Sequence, residues 1–225
     1  MKILVVADIH GNLKNLNLLL EKIEKEKLDL IIIPGDFTDL FADYKDFDQL
    51  DVAEMLIQKF LSLKTKILCI PGNNDPYDMV YLFDEYGVNL HEKVVEHGGL
   101  DFAGFGGAKT PFATNFEPTD DEFKAGLAKI EKQLKGKFVF VSHAPPKDTK
   151  LDKVKAGDHV GSQIIKDFIV KHKPILAISA HILEARGEDK LGETKLFYPG
   201  ALTEGYYGLV NLDKEIKCEI KNLKE

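Results

Sequence analysis

Apolar residues along the first seventy positions change their period repeatedly. Residues 2–7 form a short β-branched run, and residues 12–27 then carry Leu13, Leu16, Leu20 and Ile23 on one helical face, with Asn12 placed to cap it. Residues 28–33 are a continuous aliphatic run of the kind a parallel sheet buries on both sides. Residues 46–63 return to the helical period, and 66–70 read as a third strand. The order is β-α-β-α-β, with right-handed crossovers expected.

The middle of the chain has shorter elements. Residues 88–97 and 100–105 read as strands, and 105–111, rich in Gly and Pro, as a loop that could border a ligand. Residues 119–134 follow as a helix, with Thr119 and Glu122 spaced for a capping box. A strand at 138–142, a helix at 162–173 capped by Ser162 and a strand at 175–180 repeat the alternation. The tail, at 195–198, 206–212 and 218–223, reads as antiparallel strands. This pattern predicts an α/β (α+β) fold: a four-layer αββα sandwich of two mixed β-sheets flanked by helices, with residues 1–225 as one domain. There is no repeat and no linker.

Composition narrows the partners. Thirty-seven acidic against 30 basic residues leave a net charge of −7, which opposes a stable nucleic-acid platform. The longest apolar runs are far too short to span a membrane. The first ten residues lack the shape of a secretion signal. Cys69 and Cys218 have no C-x-x-C spacing, so neither a thiolate zinc site nor a disulfide framework is expected, and the compartment reads as reducing and cytoplasmic. An edge strand in the β-rich tail is where two copies would pair into a dimer.

The polar residues that interrupt the apolar pattern fall at the carboxyl ends of strands. Asp8 and His10 end the first, Gly35-Asp36 the second, Gly72-Asn73-Asn74-Asp75 the third, His143 the strand at 138–142, and His181 the next. In open α/β sheets that edge is where ligands bind. Asp8 and His10, two apart, would face one point as a chelating pair. Aspartates, an asparagine and histidines together make a mixed oxygen and nitrogen set suited to manganese, iron or zinc rather than calcium. Two ions sharing an aspartate would use six such ligands economically, and paired ions serve phosphoester hydrolysis.

The series Asp8-x-His10, Gly35-Asp36, Gly72-Asn73-x-Asp75, His143 and His181 resembles the calcineurin-like metallophosphoesterase superfamily, whose pattern is D-x-H, G-D, G-N-H-[DE], H and G-H-x-H. Residues 142–146 and 179–187 look most like the compact Icc-related phosphoesterases of prokaryotes. The resemblance implies a hydrolase with two divalent ions (Mn, Fe, Zn or Ni). Asp8, His10 and Asp36 would hold the first ion, Asn73, His143 and His181 the second, with Asp36 between them. The substrate would be a small phosphoester, nucleotides being the expected class.

Two positions depart from that pattern. Asn74 stands where the family has the histidine thought to protonate the leaving oxygen; it can donate a hydrogen bond but not a proton. Leu183 stands where a histidine would complete the first site, so the first ion is expected to bind weakly unless Glu184 turns inward. The expectation is slow hydrolysis of diesters with good leaving groups; the alternative is a catalytically impaired relative that senses or regulates through a bound metal or nucleotide. Arg186, the single arginine, suits phosphate as well as it suits a salt bridge with Glu184 or Glu188. His159 reads as a loop residue that could reach the site, although Ser162 explains the segment. His91, His97 and His172 read as surface residues, and Phe112 and Phe116 as residues that could stack a base but are expected to anchor the loop in the core.

Overall fold

Alternation within single strands decides the layering. The computed structural model describes residues 1–225. In the strands β1 (Lys2–Val5), β2 (Leu30–Ile33) and β3 (Lys66–Cys69), Leu4, Ile31, Ile33 and Ile67 face α1 (Leu13–Ile23), α2 (Gln49–Leu61) and α3 (Met79–Glu85). Their neighbours Ile3, Val5, Leu30, Ile32 and Leu68 point the other way, into a layer shared with the second sheet. Both faces of β2 are therefore covered, which is why four consecutive aliphatic residues suit it.

The first sheet has the order β11-β10-β1-β2-β3, in which β1, β2 and β3 are parallel and β10 (Tyr206–Leu212) and β11 (Ile216–Asn222) are antiparallel. The second has the order β4-β5-β6-β7-β9-β8. It contains β4 (Lys93–His97), β5 (Leu100–Phe105), β6 (Phe138–Ser142), β7 (Leu176–Ile178), β8 (Gly187–Leu191) and β9 (Thr194–Tyr198). Its outer face packs Phe105, Phe140 and Leu196 against α4 (Asp120–Glu131) and α5 (Gln163–His172). The result is the αββα sandwich expected, with mixed sheets and no helix long and apolar enough to cross a membrane. Capping by Asn12, Thr119 with Glu122, and Ser162 is as the sequence predicts.

Two elements carry no clear signal in the sequence. Helix α3 is only seven residues long, and β8, Gly-Glu-Asp-Lys-Leu, is an edge strand with no run of apolar residues to mark it. The strand expected at 88–97 begins only at Lys93. Before it, Val88 and Leu90 do pair with Cys69, but Asn89 turns its side chain to the His91 N–H and to Asp84, and Glu92 takes a left-handed φ of 56°, which breaks the ladder.

His91 is a correction to the surface reading: its ring packs against Phe105 and Phe116, and Nδ1 accepts the Gly106 N–H at 2.9 Å. Burial, with only partial compensation from Glu92, pushes its pKa down from 6.5 to about 4. As pH falls through 6.5 the unfolded chain takes a proton on this ring and the folded chain does not, so the stability present above 6.5 is lost progressively toward pH 4. His91→Gln keeps an acceptor without the titration. Its denaturation midpoint should lose less on going from pH 7 to pH 4.5, a wild-type excess loss on the order of 2 kcal/mol.

Candidate metal centre

The loops that leave β1, β2 and β7 carry their candidate ligand residues in a backbone conformation that side chains disfavour. Asp8, His10, Asp36 and His181 have φ of 50°, 49°, 53° and 79°. Each such residue costs about 1–3 kcal/mol and persists only where its surroundings over-determine it. Here they do. The N–H groups of Asp8, Ile9, His10 and Gly11 donate in turn to the carbonyls of Gly35, Asp36, Asp36 and Phe37, sewing the first loop to the second. Buried Asp75 ties the second loop to the third, accepting from the N–H of Phe37, Thr38 and Gly72 and from the Thr38 hydroxyl at 2.8–3.2 Å. Burial, and then the neighbouring Asp36 carboxylate, push Asp75 up to about 6. Gly72 passes so close that a Cβ there would lie 2.0 Å from Asp36 Oδ1.

This stitching brings two triads of ligand atoms together: Asp8, His10 and Asp36, and Asp36, His143 and His181, all within 4.8 Å of one another inside each triad. Asp36 belongs to both. Its Oδ2 is 3.6 Å from His10 Nε2 and its Oδ1 3.5 Å from His143 Nε2. Burial would raise the Asp36 carboxyl, but His143, His10 and the Asn74 N–H together hold it below its ordinary value. Asp8 is raised, chiefly by burial. The pKa of His181 is pushed down to about 3 by burial and by His143, so its ring is neutral and free to coordinate.

The donor set fits a cation at the second triad for a specific reason. His143 Nδ1 lies 2.8 Å from the Pro34 carbonyl, which can only accept, so the ring proton sits there and Nε2 presents a lone pair. That lone pair faces Asn73 Oδ1 at 3.0 Å. The Asn73 amide is not free to flip, because its Nδ2 donates to Thr114 Oγ1 (3.1 Å), which donates in turn to Glu117. Two acceptors so close require an extra proton or a metal ion between them. At the first triad, His10 Nδ1 is buried without any partner. These residues could hold divalent ions, and histidine and carboxylate donors suit a transition metal.

The remaining expectations divide. Asn74 lies at the site, where its N–H and its Nδ2 donate to Asp36 Oδ1 and Oδ2 at 2.9 and 2.8 Å. Leu183, on a short 3-10 turn over Leu183–Ala185, lines a cavity that also contains His10, Asp36, Asn73 and His181. Glu184 does not turn inward; it accepts the Lys155 N–H at 2.7 Å. Arg186 is not brought to the cavity: its guanidinium lies over the Tyr206 ring, 4.1 Å from the centroid, with Glu204 as its carboxylate neighbour at 4.0 Å. His159 braces its own loop by bonding buried Asp152 (2.7 Å). Phe116 is in the core, but Phe112 is exposed at the cavity, against the core reading.

Sequence reasoning missed Tyr198, whose hydroxyl donates to Asp8 Oδ2 at 2.7 Å, and the Thr114–Glu117 pair behind Asn73. Neither carries a motif; Tyr198 and Asp8 are 190 positions apart. Outer partners of this kind typically govern metal affinity about 10- to 100-fold. Thr114→Val should weaken manganese binding by that factor in a calorimetric titration, while the circular dichroism spectrum stays as it is; an unchanged affinity would mean Asn73 is oriented by something else.

Comparison with known proteins agrees with this geometry. The family model described as calcineurin-like phosphoesterase matches residues 1–185. The uncharacterized protein MJ1162 of Methanocaldococcus jannaschii is 33% identical over 204 residues, covering 88% of each chain. Among solved structures, TT1561 of Thermus thermophilus superposes with a TM-score of 0.77 at 21% identity, covering 99% of this chain and 98% of that one. A dimetal phosphatase from Danio rerio gives 0.67 at 9% identity, covering 99% and 96%. An archaeal phosphodiesterase gives 0.56 at 18% identity, covering 98% and 100%. At these identities the structures speak to the fold, whereas the family model spans most of the sequence and every residue of the two triads: the chain belongs to the calcineurin-like phosphoesterase family of metal-dependent hydrolases.

Proposed function

We propose that this chain, acting as one domain, hydrolyses phosphodiesters, with nucleotide-type esters as the substrate class. The observation that carries the reading is Asp36, common to two triads of ligand atoms. Asp8, His10 and Asp36 would hold one divalent ion, and Asp36, Asn73, His143 and His181 the other. When bound, such a pair neutralises phosphate charge and activates water near neutral pH. Manganese, iron, zinc and nickel all suit the donors. The free thiols of Cys69 and Cys218 and the acidic balance support a reducing, cytoplasmic setting.

The chain's own side chains favour a diester over a monoester. Among the residues lining the cavity, Lys109 is the one lysine and no arginine appears; Lys109 is itself paired with Asp120. A singly charged phosphate suits that poverty of cations better than a doubly charged one. Asn74 commits its amide to Asp36 and carries no titrating nitrogen, so it orients that carboxylate and supplies no proton to a leaving group. General acid catalysis typically contributes ~10²–10⁴ in rate, so turnover should be slow and should favour acidic leaving groups. The second reading, a metal-binding sensor, draws support from Leu183, which leaves the first triad without a fourth protein ligand.

Manganese-loaded protein should release nitrophenolate from bis(4-nitrophenyl) phosphate, and Asp36→Asn should abolish turnover and lower bound metal measured by elemental analysis. No turnover with any of the four metals would leave the sensor reading. Leu183→His should tighten the weaker ion at least tenfold, about 1.4 kcal/mol, in a manganese titration. A parallel gain in rate would identify incomplete occupancy as the cause of slow chemistry.

A further inference from the structure

Eight large apolar side chains are exposed in this protein, and three of them, Phe41, Phe112 and Val160, line one cavity. Of its three exposed phenylalanines, Phe41 (72% exposed) and Phe112 (73%) both line the cavity of about 440 Å³ that contains His10, Asp36 and His181. Val160, also exposed, lines it too. Leaving two phenyl rings in water costs free energy that a polar residue would avoid, and such rings beside a polar centre mark a binding surface.

Both rings stand on backbone that is already fixed. The Phe112 N–H donates to Thr110 Oγ1 (3.1 Å), and Thr110 donates onward to Glu117, the same carboxylate that anchors Thr114. The Phe41 N–H donates to Asp39 Oδ1 (2.9 Å), while the Asp39 N–H donates to the Tyr44 hydroxyl (2.7 Å). Leu183 adds an apolar wall where the family pattern would place a metal ligand. A second, smaller cavity of about 190 Å³ shares Lys109, Val160 and His181 with the first, which gives room for the two arms of a diester on either side of the phosphate.

We propose that Phe41 and Phe112 select phosphodiesters in which one ester arm is a flat aromatic group, seated against these rings while the phosphate lies at the metal ligands. This specificity rests on the phosphodiesterase reading above. Stacking on aromatic side chains tolerates many ring types, so the selection is for an aromatic arm rather than for one base.

Diphenyl phosphate and diethyl phosphate carry the same single charge and differ in their rings. Calorimetry on the manganese-loaded protein should give diphenyl phosphate at least tenfold tighter binding. In the Phe41→Ala/Phe112→Ala double variant, whose changed residues are exposed, that preference should fall below threefold with manganese affinity retained. Equal binding of the two phosphates by the wild type, or an undiminished preference in the variant, overturns the inference; if bis(4-nitrophenyl) phosphate is still hydrolysed, the phosphodiesterase reading survives. Failure to bind either phosphate and to hydrolyse any diester overturns both.

Discussion

Two loops approach so closely around Asp36 that the third has room for nothing but glycine beside it. The Asp36 carboxylate is buried, belongs to both triads and is held by the N–H and side chain of Asn74; a Cβ on Gly72 would collide with it, and one on Gly35 would lie 2.6 Å from His143 Nδ1. A carboxylate placed so deep is costly unless it is compensated. Two histidines and two N–H donors compensate it here, and the same neighbours place it in both triads of candidate ligand atoms. Asp8, His10, Asp36 and His181 all take left-handed backbone around this crowded point at the sheet edge.

The αββα layering makes that concentration of polar groups tolerable. The strands that lead to the candidate ligands are buried in the middle of the sandwich, with apolar side chains on both faces of β1 and β2, so packing fixes where their loops begin. Neutral His181, and a His143 ring whose Nδ1 is turned to the Pro34 carbonyl, leave Nε2 of His143 directed at Asn73 and Asp36. Outer partners complete the arrangement. Tyr198 and the His181 N–H hold the two oxygens of Asp8, and Thr114 with Glu117 sets the Asn73 amide.

The departures at Asn74 and Leu183 have different physical consequences. Asn74 stands where the family pattern has a titrating ring, and its amide binds the carboxylate shared by the two triads, an orienting contact. Leu183 stands where the family pattern has a histidine, and it adds apolar surface to a cavity that already displays Phe41, Phe112 and Val160. On the proposed function, weaker coordination at one triad and an apolar wall beside it would both follow from this one position.

How much was legible depended on sequence distance. Runs of aliphatic residues and helix caps act within a few positions, so the layers, the strands that matter and the caps at Asn12, Thr119 and Ser162 could be read directly. The candidate ligands were legible because a polar residue at the end of an apolar strand is conspicuous wherever the strand goes. Orientation was not. Whether Arg186 faces phosphate or Tyr206, whether His91 is wet or packed on Phe105, and which atom of Asn73 points at His143 all depend on loops 15 to 70 positions apart coming to lie side by side. The periodic pattern of the chain therefore determined the framework and the rim where chemistry belongs. Only the tertiary structure decided which side chains face that rim, because a side chain's direction is set by neighbours that the linear order does not place next to it.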